Sequence, residues 1–390
     1  MTVFRDAFLS VINSATPGNL DELSAKLDAA GNTLEYRRYV ESLFEILIAG
    51  RLLAPGGTFL EDGTPASSFS IFQAHDDLAS IRKYVEVFHK LMRRYKYLQR
   101  GFEETLKNLL QYINKFNAQD TDKLALATGL FCSSGLASLN VLSVLFKEHL
   151  VREGLSLQFV TTVFKTYLID QSVEQFGLNL HKAGMGERLL DFFPPSKRDE
   201  DSFARHFQAE DMKQLVSFQN KKQLVLLKDT VIENVCALLE EGKIPECVTF
   251  LNTTVKESGL TEQELIPLIW AGVMKSADWG TRVDQIDNQI LKTVQQHHKL
   301  LAAFCTSPKT EIALLQTIQI NFYEDARFMK QFRSVTQLLY KNDVLSESAI
   351  LYWAEKGSKP QGRTAMMKQM EPFIHWLKNA SDEEESEDEE

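Results

Sequence analysis

Two stretches close to the C-terminus combine tryptophan with carboxylates, a combination suited to holding a cationic partner. The first runs from Glu347 to Glu355, and the second begins at Glu371 and continues into an acidic tail. Fixed carboxylates attract lysine-rich segments, and such binding weakens as salt screens the charges. We predict partner binding by the tryptophans, the glutamates of both stretches and the eight acids of the tail. These residues are Glu347, Trp353, Glu355, Glu371, Trp376, Asp382, Glu383, Glu384, Glu385, Glu387, Asp388, Glu389 and Glu390.

The tryptophan spacing also makes a prediction about packing. Ile350 and Trp353 are three residues apart, and Phe373, Trp376 and Leu377 follow a spacing of three and four. Residues at these intervals share one face of a helix. The pattern therefore predicts that both indoles are core anchors and that the carboxylates lie outside.

Two serines in the tail have the surroundings of phosphorylation sites. Ser381 and Ser386 are each followed by acids at the first and third positions, the preference of casein kinase two. A phosphate adds about 1.5 to 2 negative charges. We therefore expect phosphorylation at either serine to strengthen binding of a lysine-rich partner.

A basic segment lies in the first half of the chain, between Arg82 and Arg100. It holds seven lysines and arginines and a single glutamate, and Phe88, Met92 and Tyr95 form an apolar stripe. A helix through this segment places the basic side chains away from the stripe. The face is either a solvated helix surface or a patch for an acidic partner or RNA. Its members are Arg82, Lys83, Lys90, Arg93, Arg94 and Arg100.

Catalytic and metal-binding patterns are absent from the sequence. It contains no phosphate-binding glycine loop, no nucleophile elbow and no H-E-x-x-H motif. His297 and His298 are adjacent, so on a helix they point in different directions and cannot bind one metal together. The four cysteines contain no C-x-x-C pair, which excludes the common zinc ribbons. We predict a protein without enzymatic activity, cofactor or metal, with reduced thiols as in the cytosol.

The elements that must position these residues are helices. Apolar residues recur at intervals of three and four, as in Ile81 to Tyr95, and alternating β-branched runs are nearly absent. Thr261 and Glu264 form a capping-box sequence at the start of one such helix. About sixteen to eighteen helices with short connections favour an all-α fold of stacked, HEAT-like helix pairs.

Composition suggests where the chain divides. The proline-broken segment Pro194–Asp201 is typical of a linker, so we expect domains at 1–200 and 201–380. The acids of Asp382–Glu390 account for all but two units of the net charge of −10, so residues 381–390 are predicted to be a disordered acidic tail. Leu124–Phe146 has no charge, but its polar residues and Gly135 indicate two short buried helices, not a membrane span.

Several sequence blocks resemble one known family. The blocks are Leu34–Tyr39, Arg93–Leu98 with Gly101–Glu103, Leu300–Phe304, Ile350–Trp353 and Phe373–Ala380 followed by the acidic run. They resemble the initiation factor five mimic proteins, also named basic leucine zipper and W-two domain proteins. The likeness covers essentially the whole chain.

The resemblance implies an N-terminal domain like the middle domain of initiation factor four G, followed by a HEAT-like W-two domain. In that family the two aromatic-acidic stretches bind the lysine-rich tail of the β subunit of initiation factor two. The family also contacts initiation factor three, and through these factors the pre-initiation complex.

Initiation factor five itself adds a GTPase-activating domain with an arginine finger and a C-x-x-C zinc ribbon, to which no block of this sequence corresponds. The resemblance therefore implies a cytoplasmic competitor of initiation factor five that tightens start-codon selection without stimulating GTP hydrolysis. The alternative hypothesis is an RNA-binding helical scaffold that uses the basic face of Arg82–Arg100.

Overall fold

The chain folds as an array of helices. The computed structural model describes residues 2–279 and 283–387, and these residues contain eighteen α-helices and no β-strand. One isolated antiparallel bridge joins Leu53 to Phe59. The all-α prediction is confirmed.

The structure divides into two compact units, the first ending at Asn220 and the second beginning at Lys221. Helices α1 to α10 belong to the first unit, and α11, Lys213–Glu240, runs across the division. The helices of the first unit are α1 Thr2–Asn13, α2 Leu20–Ala30, α3 Val40–Ala49, α4 Leu78–Arg94, α5 Leu98–Leu110, α6 Ala118–Ser133, α7 Glu148–Arg152, α8 Leu155–Asp170, α9 Val173–Lys182 and α10 Glu200–Ala209.

The second unit contains seven further helices among the residues described there. They are α12 Ile244–Ser258, α13 Glu262–Lys275, α14 Val283–Phe304, α15 Pro308–Glu324, α16 Phe332–Lys341, α17 Glu347–Tyr352 and α18 Arg363–Glu387. The capping box predicted at the start of α13 is present: Thr261 accepts from the amide of Glu264, whose carboxylate accepts from the amide of Thr261.

Helices two apart along the chain pack against each other within each unit. In the first unit α2 packs on α4, α3 on α5, α4 on α6 and α6 on α8; in the second α13 packs on α15, α14 on α16 and α16 on α18. Alternate helices therefore lie side by side in one layer, as in stacked helix pairs. This packing agrees with the predicted HEAT-like repeat.

Aromatic rings fill the core of the first unit. Phe88 of α4 lies with its ring centre 5.0 Å from that of Phe131, 5.6 Å from Phe102 and 5.8 Å from Phe44. The four side chains come from α3, α4, α5 and α6 and are at most 1% exposed. This aromatic packing therefore stabilises the contacts among α3, α4, α5 and α6.

The packing divides the chain later than the predicted boundary at residue 200. Phe203 and Phe207 of α10 are buried in the first core, where their rings lie near that of Phe193. Pro194–Asp201 therefore lies within the first unit and does not separate two cores. Apolar residues downstream of a proline-broken segment can return to the same core, and composition alone does not reveal this.

The uncharged segment Leu124–Phe146 is buried within the first unit. Its first part belongs to α6, which ends at Ser133, and its second part is the 3₁₀ helix Leu139–Phe146. Gly135, between them, has φ +78°, a left-handed conformation that glycine adopts without strain. No helix in the described part of the chain is long and apolar enough to cross a membrane.

Candidate partner-binding site

Trp353 of the first aromatic-acidic stretch is the centre of a buried hydrogen-bond network. Its indole Nε1 donates to Oε1 of Gln319 on α15, 3.0 Å away, and both side chains are 0% exposed. Phe332 packs beside the indole, with ring centres 5.0 Å apart. The predicted core position of Trp353 is confirmed, and a direct contact of this indole with a partner is excluded in this structure.

Gln319 also holds the loop between Trp353 and α18. Its side-chain nitrogen donates to the carbonyls of Lys359 and Gln361 at 2.7 and 2.6 Å, and its oxygen accepts from the amide of Lys359 at 3.0 Å. Gln316, one turn earlier, donates to the carbonyl of Gly357 at 2.6 Å. The buried amide therefore fixes the backbone that leads from the first stretch to the second.

Trp376 of the second stretch lies on the surface, so its predicted core position is wrong. The side chain is 55% exposed. Its ring is parallel to that of Phe373, with centres 5.9 Å apart, and meets the ring of Tyr340 on α16 edge-on at 6.3 Å. One side of the indole is supported by aromatic neighbours, and the remainder is available for contact.

The geometry of α18 explains this difference. The side chains buried along it are Met366, Met370, Phe373 and Leu377, at intervals of four, three and four. At 100° per residue, Trp376 points about 90° away from that stripe. A spacing of three from Phe373 was compatible with the core face, but Leu377 occupies that face instead.

The tertiary structure brings the two aromatic-acidic stretches together. Glu355, at the end of the first, lies 3.8 Å from Nζ of Lys378 on α18, measured from its Oε1. Both side chains are more than half exposed, so the pair lies at the surface. Lys378 is two residues beyond Trp376, a spacing that puts the two side chains about 160° apart around α18, so the ion pair and the exposed indole flank the buried stripe on different sides.

The remaining predicted glutamates have different environments. Glu347 lies in the first turn of α17 and is half-buried, whereas Glu371 on α18 is exposed.

Sequence reasoning missed Tyr352, which is 50% exposed directly before the buried Trp353. Its position next to the buried tryptophan on a helix was the available signal, because adjacent helical residues point about 100° apart.

Sequence reasoning also missed Glu311, although it is an acid of the same unit. Its Oε2 accepts hydrogen bonds from the amide and the hydroxyl of Ser346, both at 2.6 Å. Ser346 in turn caps α17 by accepting from the amide of Ala349. Glu311 therefore fixes the start of the first stretch instead of presenting a free carboxylate.

The acidic tail is described only in part. Helix α18 continues to Glu387, so the structure does not show the predicted disorder over residues 381–387. The side chains of Ser381, Asp382, Glu383, Glu384, Glu385, Ser386 and Glu387, and the whole of Asp388, Glu389 and Glu390, lie outside the described residues. Their roles in binding and phosphorylation remain predictions.

The basic segment of the first unit is two helices and not one. Helix α4 ends at Arg94 and α5 begins at Leu98. Tyr95 lies between them, and its hydroxyl donates to the carbonyl of Asp28 at 2.8 Å. The turn between the helices separates Arg100 from the basic side chains of α4.

Most of the predicted basic face is neutralised by acids of the same unit. Arg82 donates two hydrogen bonds of 2.9 Å to Asp170, Lys90 lies 2.7 Å from Asp21, and Arg94 lies 3.1 Å from Asp28. Arg100 pairs with Glu104 one turn later. Within the described residues, Lys83 and Arg93 have no acidic partner. This pairing favours a solvated, ion-paired helix surface over a binding site for RNA.

The cysteines are buried, as a set of reduced core thiols would be. Burial raises the pKa of Cys247 to about 11 and that of Cys305 to about 12, and it also raises the pKa of Cys132 and of Cys236. A thiol with a raised pKa is mostly protonated at neutral pH and is a poor nucleophile. These thiols are therefore suited to packing.

Comparison with known proteins identifies the family. Residues 1–229 match the model described as the 5MP1/2 HEAT domain, and residues 310–387 match the W2 model described as eIF4-gamma/eIF5/eIF2-epsilon. The chain is 37% identical to eIF5-mimic protein 1 of Homo sapiens, over all of this chain and 93% of the human protein. This chain belongs to the eIF5-mimic protein family.

Other members agree with this assignment. The chain is 36% identical to eIF5-mimic protein 2-A of Danio rerio over 99% of its own length, and 34% identical to eIF5-mimic protein 2 of Gallus gallus over all of it. The resemblance seen in the sequence is confirmed, and the eIF5-mimic family assigns the chain to the regulation of translation initiation. The W2 match covers α16 to α18 and most of α15, and it includes Gln319 on α15, Trp376 on α18 and Trp353, which begins a π-helical turn directly after α17.

Proposed function

We propose that this eIF5-mimic protein is a cytoplasmic, non-catalytic regulator that binds the lysine-rich tail of the β subunit of initiation factor two through its W2 unit. By occupying this tail, and by binding initiation factor three, it competes with initiation factor five. Because it does not stimulate GTP hydrolysis, the competition delays commitment at poor start codons and tightens start-codon selection.

The contact between Glu355 and Lys378 carries this proposal. It brings the two aromatic-acidic stretches together, and α18 also exposes about half of the Trp376 side chain, on a different side of the helix from Lys378. A lysine side chain can lay its apolar stem on an indole while its ammonium reaches a neighbouring carboxylate. A run of several lysines can therefore use both contributions, with different lysines on the two sides of α18.

Competition follows from the kinds of domain involved. The model that matches residues 310–387 is described by names that include eIF5, so the two proteins share a W2 domain. Two domains that recognise the same lysine-rich segment cannot occupy it together. The regulator therefore needs no catalytic group of its own, because its effect comes from excluding the activator.

A binding assay with matched variants tests the proposed surface. The probe is a lysine-rich peptide from the β subunit of initiation factor two, titrated into the full chain by isothermal titration calorimetry. We expect Trp376→Ala and Glu371→Lys each to weaken binding by about tenfold, the loss of one good contact. Glu257→Lys on α12 is the control, because Glu257 is an exposed acid of the same unit outside both stretches.

The outcome is decided by the pattern across variants. If Glu257→Lys weakens binding as much as Glu371→Lys and Trp376→Ala leaves it unchanged, the peptide senses only net charge and the proposed surface is wrong. Competition is tested separately, by adding the chain to initiation complexes in which initiation factor five stimulates GTP hydrolysis. We expect the hydrolysis rate to fall with wild type and to recover with Trp376→Ala; a rate unaffected by the wild-type chain would refute the competitor role.

A further inference from the structure

A surface cavity lined by both polar and apolar residues lies in the first unit, away from the aromatic-acidic surface in sequence. It has a volume of about 500 Å³ and lies between the N-terminal half of α3, the C-terminal end of α5 and the turn around Pro55. The residues that line it are Glu41, Glu45, Leu53, Ala54, Pro55, Gly56, Asn108, Leu109, Gln111 and Tyr112. None of the proposed partner contacts uses this cavity.

Glu45 is a buried carboxylate in the cavity wall. The residue is 9% exposed, and its Oε2 accepts one hydrogen bond, from the amide of Leu53 at 3.2 Å. Among the described residues Oε1 has no hydrogen-bond donor. Since an ionised carboxylate has room for several donors, Glu45 is only partly satisfied by the protein.

A second carboxylate lies one helical turn away. Glu41 also lines the cavity and accepts from the side-chain amide of Asn108 at 3.1 Å. No lysine or arginine in the described part of the chain forms an ion pair with Glu41 or Glu45. Two carboxylates and no cation give the cavity a negative potential, and burial, followed by the charge of Glu41, raises the pKa of Glu45.

We propose that this cavity is a binding site for an arginine side chain presented by an extended segment of a protein partner. The guanidinium donates to the open oxygen of Glu45 at the bottom of the site and to Glu41 nearer the surface. Charge complementarity supplies the attraction, and the two acids, one turn apart on α3, provide acceptors for the two edges of the planar group.

The other lining residues suit arginine better than lysine. Tyr112 places an aromatic ring in the wall, and guanidinium groups pack well on aromatic rings. The backbone of Gly57 lies directly against this ring, because glycine has no Cβ to clash with it. The side chains of Asn108 and Gln111 add polar groups at the rim, so several donors of one guanidinium can be satisfied together.

The proposal is tested with the full chain and three capped peptides. The peptides are acetyl-Gly-Arg-Gly-amide, its lysine counterpart and its citrulline counterpart, which has the shape of arginine without the charge. Binding is read from the methyl signal of Ala54 in alanine-labelled protein, because Ala54 lines the cavity. We expect a saturable shift with the arginine peptide, a weaker effect with the lysine peptide and none with the citrulline peptide.

Variants separate the site from general charge. Glu45→Gln is expected to weaken binding of the arginine peptide by about tenfold or more, because one charged contact is lost. Glu61→Gln is the control, because Glu61 is an exposed acid of the same unit that does not line the cavity. The affinity of this variant for the arginine peptide should equal that of wild type.

Three results would overturn the proposal. These are equal shifts with arginine and citrulline peptides, equal affinities for arginine and lysine peptides, or an unchanged affinity in Glu45→Gln. If circular dichroism shows that Glu45→Gln is unfolded, the comparison of the three peptides on the wild-type chain still decides the matter. None of these measurements involves the W2 surface, so they are independent of the proposed function.

Discussion

The indole Nε1 of Trp353 donates a hydrogen bond to Oε1 of Gln319 across 3.0 Å, with both side chains fully buried. Because of this contact, the two tryptophans of the aromatic-acidic stretches have different roles. Trp353 supports the surface from within the W2 unit, whereas Trp376 belongs to the surface itself. The following predictions depend on that distinction and on the charges around it.

Replacing Gln319 with alanine should destabilise the second unit by about 3 kcal/mol, because buried donors and acceptors lose their partners. The substitution removes four hydrogen bonds, including those that hold the backbone of Lys359 and Gln361. Urea denaturation followed by tryptophan fluorescence measures the change. Gln337→Ala on α16 is the matched control, and a comparable loss in that variant would contradict the special role of Gln319.

Truncation of the two tryptophans should reduce stability by different amounts. Trp353→Ala removes a fully buried indole and is expected to cost about 3–5 kcal/mol. Trp376→Ala removes a side chain that is 55% exposed, so its cost should be about 1 kcal/mol or less. Thermal unfolding of both variants provides the comparison. A large loss of stability in Trp376→Ala would indicate that the exposed position of the indole is incorrect.

Removing Lys378 should increase affinity for the lysine-rich peptide. Its ammonium lies 3.8 Å from Glu355 and competes with a partner lysine for that carboxylate. We expect Lys378→Ala to bind the peptide about two- to threefold more tightly at low salt, and the gain to vanish at high salt as charges are screened. Lys256→Ala on α12 is the control. A gain that persists at high salt would show that electrostatic competition is not its cause.

Phosphorylation of Ser381 and Ser386 should strengthen the same interaction. Each phosphate adds about 1.5 to 2 negative charges to the tail. We expect the chain treated with casein kinase two to bind the lysine-rich peptide more tightly than the untreated chain at low salt. The double variant Ser381→Ala/Ser386→Ala, treated identically, is the control; an equal gain in that variant would place the effect at other serines.

Glu45 should make stability depend on pH. Burial, followed by the neighbouring charge of Glu41, raises its pKa from 4.5 to about 7, although the amide of Leu53 acts in the opposite direction. The folded chain therefore binds a proton more tightly than the unfolded chain, and its free energy of unfolding falls as pH rises from 4.5 to about 7.

The variant Glu45→Gln should lack that dependence. As pH rises from about 4 to about 8, the free energy of unfolding of Glu45→Gln should increase relative to that of wild type by on the order of 3 kcal/mol. Chemical denaturation at several pH values measures this difference, and Glu61→Gln is the control. A difference between Glu45→Gln and wild type that is independent of pH would show that the pKa of Glu45 is close to its ordinary value.

The helices could be predicted because their signals are local. Apolar spacing along Ile81 to Tyr95, and the capping box of Thr261 and Glu264, involve residues that lie within a few positions of one another. The same is true of the buried Trp353, which lies three residues after the buried Ile350. The family resemblance also depends on short blocks of sequence, and the comparisons confirmed it.

The charges could not be read correctly from the sequence. Asp21 and Asp28 are more than sixty positions from Lys90 and Arg94, and Asp170 is 88 positions from Arg82. Only the packing of α4 between its neighbours brings these acids to the basic side chains. A helical wheel of one segment therefore overestimated the free positive charge.

The sequence by itself determined the fold class, the buried position of Trp353 and the family, because periodicity, capping and short motifs act over a few residues. Only the tertiary structure decided that Trp376 is exposed, that Glu355 meets Lys378 and that Glu45 lines a cavity. Each of these depends on which of several compatible faces a helix turns toward its neighbours. That choice is made by the packing of whole helices, which local spacing does not specify.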